Sequence, residues 1–509
     1  MKNLLMKLKL GSGKKVAKRL IGSKEEEGEL GEIRNPYNDE VVTYFVKCTP
    51  EDAKRALETA KRAFQQTRRS PLSQRIAWLN DVADRLEEER ERFAHYITAE
   101  VGKPISESKR EVERCIENLR ICAAEGYHIF GETIPTDATP SGIRSHSFYK
   151  RVPAGVVVAI TPFNFPLNLV AHKIGPALIA GNSVVLKPTP EAPYTAYAFA
   201  KLFIESKYAI PDALSVVYGD AEVGTALVTS PIPRIISFTG SVAVGKIITQ
   251  NAGIKRVLLE LGGNAATFVE RTADLEWAAS RCAVGAFGNS GQVCISLQRI
   301  YVDEEIYDQF AELLAIEAKQ LKVGDPFDES TFMGPLITED AAIRAKDWID
   351  AAVNEGARII AGGNRKGRIL EPTILADVTD DMKVVCEEVF APVVSLVKVS
   401  SYEEAVEKMN NSPYGLQYSI FTNSISLMNR AIEEFEAGGV VINDIPTRRF
   451  DIQPYGGVKL SGIGREGPRF AIEEMTELKS VLIIPTTPLG ETSAPTPQTP
   501  EEAAVDKPK

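Results

Sequence analysis

The sequence is poor in the residues that usually build metal sites, disulfide frameworks and His-dependent active sites. Its 509 residues include six cysteines and four histidines, and no two cysteines form a CxxC pair. Zinc sites need Cys and His ligands at short, regular spacings, so no metal site is predicted. Cysteines at this density do not build a disulfide framework, and a reducing, cytoplasmic location is predicted instead.

Long apolar runs and an excess of positive charge are missing as well. No stretch of about 18 apolar residues occurs that could span a bilayer, so no transmembrane segment is predicted. The net charge is −10, with 59 basic against 69 acidic residues, and this balance argues against a nucleic-acid partner. A composition of 44% hydrophobic and 25% charged residues is typical of a soluble globular protein, and the length predicts roughly two or three domains.

Both ends of the chain have an unusual composition. Residues 1–22 contain seven basic residues and no acidic one, which predicts either a basic N-terminal extension in solvent or a targeting or surface-docking segment. Residues 486–509 are rich in Pro, Thr and acidic residues with little to bury, so a disordered tail is predicted there.

Short β-branched runs alternate with helical stretches in the middle of the chain. The runs "GVVVAI", "SVVLKP", "RIISFTG" and "KRVLLELGG" indicate βαβ units, with helices covering both faces of a parallel sheet. The pattern favours a nucleotide-binding fold, and a second α/β series begins after Gly263. Two extended segments, 129–149 and 451–485, are predicted to bridge subunits of a homodimer or homotetramer.

The usual dinucleotide motif, GxGxxG after the first strand, is absent. In open parallel sheets a ligand lies beyond the carboxyl ends of the strands, and there Gly240 closes one strand while Ser241 opens a helix. The free N–H groups at that helix start could face a pyrophosphate. A Gly-Ser pair at a helix start is also ordinary punctuation between strand and helix, so the motif alone leaves both interpretations open.

Cys294, in the stretch "GNSGQVCIS", differs from the other five cysteines. Those five are predicted to be structural, whereas Cys294 follows a polar loop whose N–H groups can stabilise a thiolate or an oxyanion. No histidine lies in a catalytic-looking loop. Glu260, at the end of an apolar strand, is the better candidate base because desolvation raises a carboxyl pKa. The alternatives are a small buried thiol at 294 and a solvent-facing acid at 260.

Several motifs together resemble the aldehyde dehydrogenase superfamily. They are "TPFNFP", "VVLKP", "SFTGS", "LELGGN", "GQVC", "EEVFAPV" and "PYGGVKLSGIGREG", in the family's order, with the cysteine 34 residues after the glutamate of "LELGGN". Within the superfamily the motifs resemble the branch of lactaldehyde and non-phosphorylating glyceraldehyde-3-phosphate dehydrogenases. The resemblance implies an α/β fold with a Rossmann-type parallel sheet in a cofactor domain over 23–128 and 150–260, a second α/β catalytic domain over 261–450 and a small β oligomerisation arm.

The resemblance also implies roles for particular residues. Cys294 matches the nucleophile that adds to the aldehyde, and Asn164 matches the side-chain donor that holds the oxyanion with the Cys294 N–H. Glu260 matches the base that activates water to hydrolyse the thioester, while the role of Lys173 near the site is left open. The expected reaction is oxidation of an aldehyde to the free carboxylic acid through a thiohemiacetal and a thioester.

The same resemblance implies NAD or NADP as the cofactor. Lys187 matches a contact to the adenosine ribose, and Pro190 stands where relatives that prefer NAD commonly carry a glutamate, so NADP or dual use is open. Gly240 and Ser241 match the pyrophosphate loop. The further expected cofactor contacts are Thr161, Pro162, Phe163, Gly219, Gly224, Phe238, Gly262, Glu388 and Phe390.

Three arginines are candidates for binding the tail of the substrate. Arg120, Arg448 and Arg449 could bind a carboxylate, phosphate or hydroxyl-rich group, or could instead be surface residues or members of ion pairs. A small hydroxy- or acid-bearing aldehyde is therefore expected as the substrate. The alternatives are a CoA-acylating aldehyde dehydrogenase and a non-catalytic protein of the same fold.

Overall fold

The computed structural model describes residues 15–484, and an eight-stranded sheet carries the region where the sequence predicts βαβ units. The apolar runs at its centre are buried on both faces, as parallel strands beneath two layers of helices must be. In spatial order its strands are Gly462–Ile463, Arg256–Glu260, Pro233–Thr239, Val156–Ile160, Ser183–Lys187, Leu214–Val216, Arg19–Ile21 and Lys24–Glu26.

The register of the central strands brings their carboxyl ends to one edge. Ile160 pairs with Lys187, and Thr239 pairs with Glu260, in parallel ladders. The strand Gly462–Ile463 runs antiparallel beside them, with Gly462 opposite Glu260. The helices that follow or cover this sheet are Asn168–Ile179, Pro193–Ile204, Ala221–Thr229, Val242–Asn251 and Pro468–Glu474.

A second sheet of seven strands forms the α/β series that begins after residue 263. Its pairs are parallel except for the antiparallel strand at one edge. In spatial order the strands are Arg358–Ala361, Thr373–Ala376, Val393–Val399, Leu297–Asp303, Ala265–Val269, Gln417–Phe421 and Gly439–Ile442. The helices of this region are Leu275–Phe287, Tyr307–Gln320, Glu339–Asn354, Lys383–Cys386, Tyr402–Asn410 and Ile425–Glu434. Short ribbons pair Arg365–Lys366 with Ile369–Leu370, and Tyr414–Gly415 with Val458–Lys459.

Four α-helices lie within residues 50–125; the first packs on the eight-stranded sheet, and the others pack on one another and on the helices that cover it. The first of them begins at a capping box formed by Thr49 and Asp52. The helices are Pro50–Thr67, Leu72–Glu88, Arg90–Val101 and Ile105–Glu125. The apolar face of the second buries Trp78, Leu79 and Val82 in the main core, and no helix within residues 15–484 is long and apolar enough to cross a membrane.

The N-terminal residues differ from the prediction of a basic extension in solvent. Within 1–22, Val16–Ala17 pairs with the strand Val41–Val46, which also pairs with Leu30–Arg34, and Arg19–Ile21 joins the eight-stranded sheet. The positive charge is accommodated because Arg19 forms ion pairs with Glu26 and Asp52. Residues 1–14 and the tail predicted over 486–509 lie outside the described residues.

The chain forms two compact units. The larger holds residues up to 129 together with 153–477, and the smaller holds 130–152 with the segment from residue 478. A three-stranded sheet, in the order Thr476–Ile483, His146–Pro153, Thr133–Ile134, builds the smaller unit. Residues 451–477, predicted as part of a bridging segment, belong to the larger unit, where their glycine-rich turn packs beside Glu260. The other domain boundaries stay predictions.

Candidate active site

Cys294 lies on a loop whose backbone turns sharply. The helix Leu275–Phe287 ends in a short turn in which Asn289 and Ser290 have φ of 50° and 58°, followed by Gly291 at 70°. A Cβ on Gly291 would lie 2.1 Å from the carbonyl oxygen of Ala391, so only glycine fits there. Ser290 Oγ donates to Gly334 O at 2.8 Å, and this bond anchors the turn. The loop therefore presents Cys294 in one orientation just before the strand Leu297–Asp303.

Asn164 contacts the same loop from the eight-stranded sheet. Its Nδ2 donates to Gln292 O at 3.0 Å, and its Oδ1 accepts a hydrogen bond from Phe165 N at 3.1 Å. These two bonds fix the direction of the amide, with the NH₂ group toward the Cys294 loop. One of the two Nδ2 hydrogens is used by Gln292, and the other is available to a further acceptor beside this loop.

A buried ion pair holds the segment that carries Asn164. Glu111 Oε1 accepts hydrogen bonds from Leu167 N at 2.8 Å and Asn168 N at 3.1 Å, while its other oxygen contacts Lys103. Both charged side chains are almost fully buried, and Lys103 Nζ lies 3.9 Å from the centre of the Phe165 ring. Glu111 thus accepts from free N–H groups at the start of the helix Asn168–Ile179.

The sulfur of Cys294 contacts a tyrosine from the glycine-rich turn of residues 454–467. Cys294 Sγ and Tyr455 Oη are 2.9 Å apart. Burial raises the pKa of the Cys294 thiol to about 12, and the hydrogen bond from Tyr455 acts in the opposite direction. The guanidinium of Arg449 stacks 3.6 Å from the centre of the Tyr455 ring. The nucleophile candidate therefore has a hydroxyl partner that is itself held by a cation.

Glu260 is buried at the strand end, as the sequence predicts. Burial, and then the neighbouring Glu466, raise its pKa well above the usual range, and its Oε2 has no hydrogen-bond partner among residues 15–484. Despite burial, Lys173, His172 and Arg449 hold the pKa of Glu466 below its usual value. Of these two carboxyl groups, Glu466 therefore carries the charge and Glu260 retains the proton more strongly.

Lys173 links the two sides of this cluster. Its Nζ donates to Glu466 Oε1 and to Ser237 Oγ, both at 3.2 Å. Glu466 in turn accepts from Arg449 Nη2 at 3.4 Å. The structure thus joins Lys173, Glu466, Arg449, Tyr455 and Cys294 in one continuous chain of contacts.

The predicted cofactor contacts of the first sheet lie at or just beyond the carboxyl ends of its strands. Ser241 caps the helix Val242–Asn251 by accepting from Val244 N at 3.4 Å. Thr161 Oγ1 and Thr239 Oγ1 are buried at this edge with no hydrogen-bond partner among the described residues, and they fit a ligand that carries hydroxyl and phosphate groups. The positions concerned are Thr161, Pro162, Phe163, Lys187, Gly219, Phe238, Gly240, Ser241 and Gly262, with Gly224 in the adjacent helix Ala221–Thr229.

Glu388 and Phe390 approach the same edge from the second sheet. Glu388 Oε1 accepts from Gly263 N at 3.0 Å, and burial raises its pKa to about 7. Phe390 has a φ of 51°, and its ring packs edge-on against Phe163 with 6.0 Å between centroids. Phe390 thus contacts Phe163, and Glu388 contacts the glycines after Glu260.

The three predicted arginines lie in different environments. Arg449 is buried within the cluster described above, whereas Arg448 points outward over the Phe450 ring. Arg120 pairs with Asp84 and Glu87 on the helix Leu72–Glu88. The structure therefore does not bring Arg120 to the site, because its face of the helix Ile105–Glu125 turns toward those acidic partners.

Five residues of this cluster were not singled out from the sequence: Tyr455, Glu466, Asp451, Arg114 and His172. Tyr455 and Glu466 belong to the quoted "PYGGVKLSGIGREG", so that motif is the signal that could have found them. Asp451 accepts from Arg114 Nη2 at 2.7 Å, and its Oδ1 lies 3.0 Å from His172 Nε2. Despite burial, these partners hold the pKa of Asp451 well below its usual range. They come from three distant segments, and no local pattern indicates their meeting.

The chain is similar to several known proteins over most of its length. A family described as "Aldehyde dehydrogenase family" matches residues 23–481. A 3-sulfolactaldehyde dehydrogenase of Priestia aryabhattai is 45% identical over 464 residues, which are 91% of this chain and 96% of that protein. Aldehyde dehydrogenase 21 of Physcomitrella patens, solved with its reaction product succinate, has a TM-score of 0.91 and 36% identity, covering 94% of this chain and all of that one. A glyceraldehyde-3-phosphate dehydrogenase of Methanocaldococcus jannaschii, solved with NADP, has a TM-score of 0.86 and 39% identity, covering 91% and 100%.

Proposed function

The chain belongs to the aldehyde dehydrogenase family, and from that premise we propose that it oxidises a small aldehyde with an anionic or hydroxylated tail to the free acid. Its class, an NAD(P)-dependent aldehyde dehydrogenase, is the one predicted from the motifs. The observation that supports the proposed mechanism is the hydrogen bond from Asn164 Nδ2 to the loop of Cys294, with the buried Glu260 near enough to raise the pKa of the Cys294 thiol.

In the first half of the reaction, Cys294 Sγ adds to the aldehyde carbon. The carbonyl oxygen becomes an oxyanion, which the free Nδ2 hydrogen of Asn164 and the Cys294 N–H stabilise where the charge develops. Lys187, Ser241 and Glu388 would hold NAD(P)⁺, which would accept the hydride that leaves the substrate carbon as the thiohemiacetal becomes a thioester. Because Asn164 is already oriented by two hydrogen bonds, little reorganisation is needed at that moment.

In the second half, water hydrolyses the thioester on Cys294. Glu260 takes a proton from the attacking water, and its raised pKa gives the carboxylate the basicity that this task needs. The neighbouring Glu466 keeps its charge and raises the pKa of Glu260, which favours Glu260 as the carboxyl group that takes the proton. The presence of Glu260 supports hydrolysis over transfer to coenzyme A, which is the alternative.

The tail of the substrate is proposed to face Arg449 and its neighbours. Arg449, Arg114 and His172 gather around Asp451, and Arg449 also contacts the Tyr455 ring. The named compounds of the three relatives, sulfolactaldehyde, succinate and glyceraldehyde-3-phosphate, all carry an anionic group. Charge-assisted bonds to arginine would favour such a group over an alkyl chain.

An aldehyde panel tests this proposal. kcat/KM is measured with NAD and with NADP for 3-sulfolactaldehyde, glyceraldehyde-3-phosphate, succinic semialdehyde, lactaldehyde, glycolaldehyde and unsubstituted alkanals of matched length. We expect the anionic and hydroxylated aldehydes to exceed the matched alkanals, and equal or better turnover of alkanals would refute the assignment of the tail. Cys294→Ala is the control for mechanism: it should abolish oxidation while cofactor binding persists.

Assembly and location complete the proposal. In the smaller unit Ile134, Leu478, Leu482 and Ile484 expose large apolar side chains, which supports a homodimer or homotetramer formed through this sheet. All six cysteines are free, which supports a reducing compartment such as the cytoplasm. Sedimentation velocity of the full chain would test the assembly.

A further inference from the structure

The contact between Cys294 and Tyr455 has no place in the mechanism above, although it involves the reacting sulfur itself. We propose that Tyr455 is a catalytic residue whose hydroxyl donates a hydrogen bond to the Cys294 thiolate, and that Arg449 is the positioning residue that holds its ring. The inference deepens the proposed function and rests on Cys294 as the nucleophile.

The direction of the hydrogen bond follows from the surroundings of Tyr455. The side chain is 6% exposed, and burial raises the pKa of its hydroxyl well above the usual range, so it stays protonated. A protonated phenol 2.9 Å from sulfur can donate to a thiolate, whereas a thiol is a weak donor in the opposite direction. The contact therefore favours the ionised form of Cys294.

The nucleophile needs such a donor because its other surroundings oppose ionisation. Burial, Glu388 and Glu260 all raise the pKa of the Cys294 thiol, while Arg449 and the Tyr455 hydroxyl lower it. On ionisation the S–H bond breaks, the proton leaves to solvent, and the electron pair stays on sulfur to attack the aldehyde carbon. No oxidation state changes in this step, and the thiolate is the species that reacts.

Arg449 acts through Tyr455. Its guanidinium stacks 3.6 Å from the ring centre, and its Nη2 lies 3.4 Å from both Glu466 Oε2 and His172 Nε2. A planar cation held on one side and stacked on the other leaves the ring little freedom to turn away from sulfur. The compact ammonium of a lysine would keep the charge and lose this flat contact.

The experiment measures alkylation of Cys294 by iodoacetamide as a function of pH, read from the Cys294 peptide by mass spectrometry. Tyr455→Phe removes only the hydroxyl. Tyr418→Phe is the matched control, because Tyr418 is also buried and its hydroxyl donates to Tyr414 O at 3.2 Å, away from the sulfur. This readout does not need aldehyde turnover, so the two proposals fail separately. Turnover by Cys294→Ala would refute the proposed function, whereas the alkylation rates test only the role of Tyr455.

A hydrogen bond to a charged group contributes enough that its loss should slow alkylation at each fixed pH about 10- to 100-fold. Tyr418→Phe should leave the alkylation rate unchanged. Arg449→Lys should slow alkylation by less than Tyr455→Phe, and it tests the idea even if Tyr455→Phe does not fold. An alkylation rate that stays or rises in folded Tyr455→Phe, or that stays in Arg449→Lys, would overturn the proposal.

Discussion

Replacing Glu111 by Gln should destabilise the protein through the buried ammonium that it leaves behind. Lys103 and Glu111 have side chains that are 1% and 0% exposed. Gln keeps an oxygen for the Leu167 and Asn168 N–H groups, so the perturbation is confined to the charge beside Lys103. Removing one partner of a buried ion pair costs about 3–5 kcal/mol, because the other charge is left without compensation.

The magnitude can be converted into a melting temperature. With an unfolding entropy of about 2.1 cal/mol/K per residue, a chain of 509 residues shifts by roughly 1 °C for each kcal/mol. Glu111→Gln should therefore lower Tm by about 3–5 °C in scanning calorimetry at fixed protein concentration and scan rate. Burial lowers the pKa of Lys103, so the deficit should shrink as the pH is raised and the unpaired amine loses its proton.

The double variant Lys103→Met with Glu111→Gln separates charge from packing. It removes the unpaired ammonium, so it should recover at least half of the Tm lost by Glu111→Gln. A double variant as unstable as the single one would refute the account based on charge. Because Gln retains the oxygen at the helix start, Glu111→Gln should lower kcat much less than Asn164→Ala does.

The remaining predictions concern the site. Glu260→Gln should slow deacylation, so an acyl-enzyme should accumulate in mass spectra. Because a base must be ionised, the rate of the unchanged protein should rise with pH through the raised pKa of Glu260. A Glu260→Gln variant that keeps this rise would contradict the role of Glu260. Asn164→Ala should lower kcat about 100- to 1,000-fold through loss of an oxyanion donor, with unchanged kcat as the contrary result. Arg449→Met should reduce kcat/KM for anionic aldehydes more than for matched alkanals, while the exposed Arg448→Met serves as control; equal losses on both substrates would remove Arg449 from substrate recognition.

The α/β architecture was accessible from the sequence because its parallel strands are continuous apolar runs. Strands such as Val156–Ile160 and Ser183–Lys187 are buried on both faces, so their central residues must be apolar. The strand Arg19–Ile21 was missed because it is short and carries a charge. That charge is neutralised by Glu26 and Asp52, and only the folded chain shows these partners.

The sequence by itself determined the chemistry of the expected site, and the tertiary structure decided its environment. A thiol after a polar, glycine-containing loop and a carboxyl at a strand end are local features, so Cys294 and Glu260 stand out along the chain. The contact between the Cys294 sulfur and Tyr455 joins residues 161 positions apart. Arg120 was a candidate for substrate binding because of its charge, but it forms ion pairs with Asp84 and Glu87 instead. Burial and charge pairing depend on which distant segments meet, and packing alone decides that.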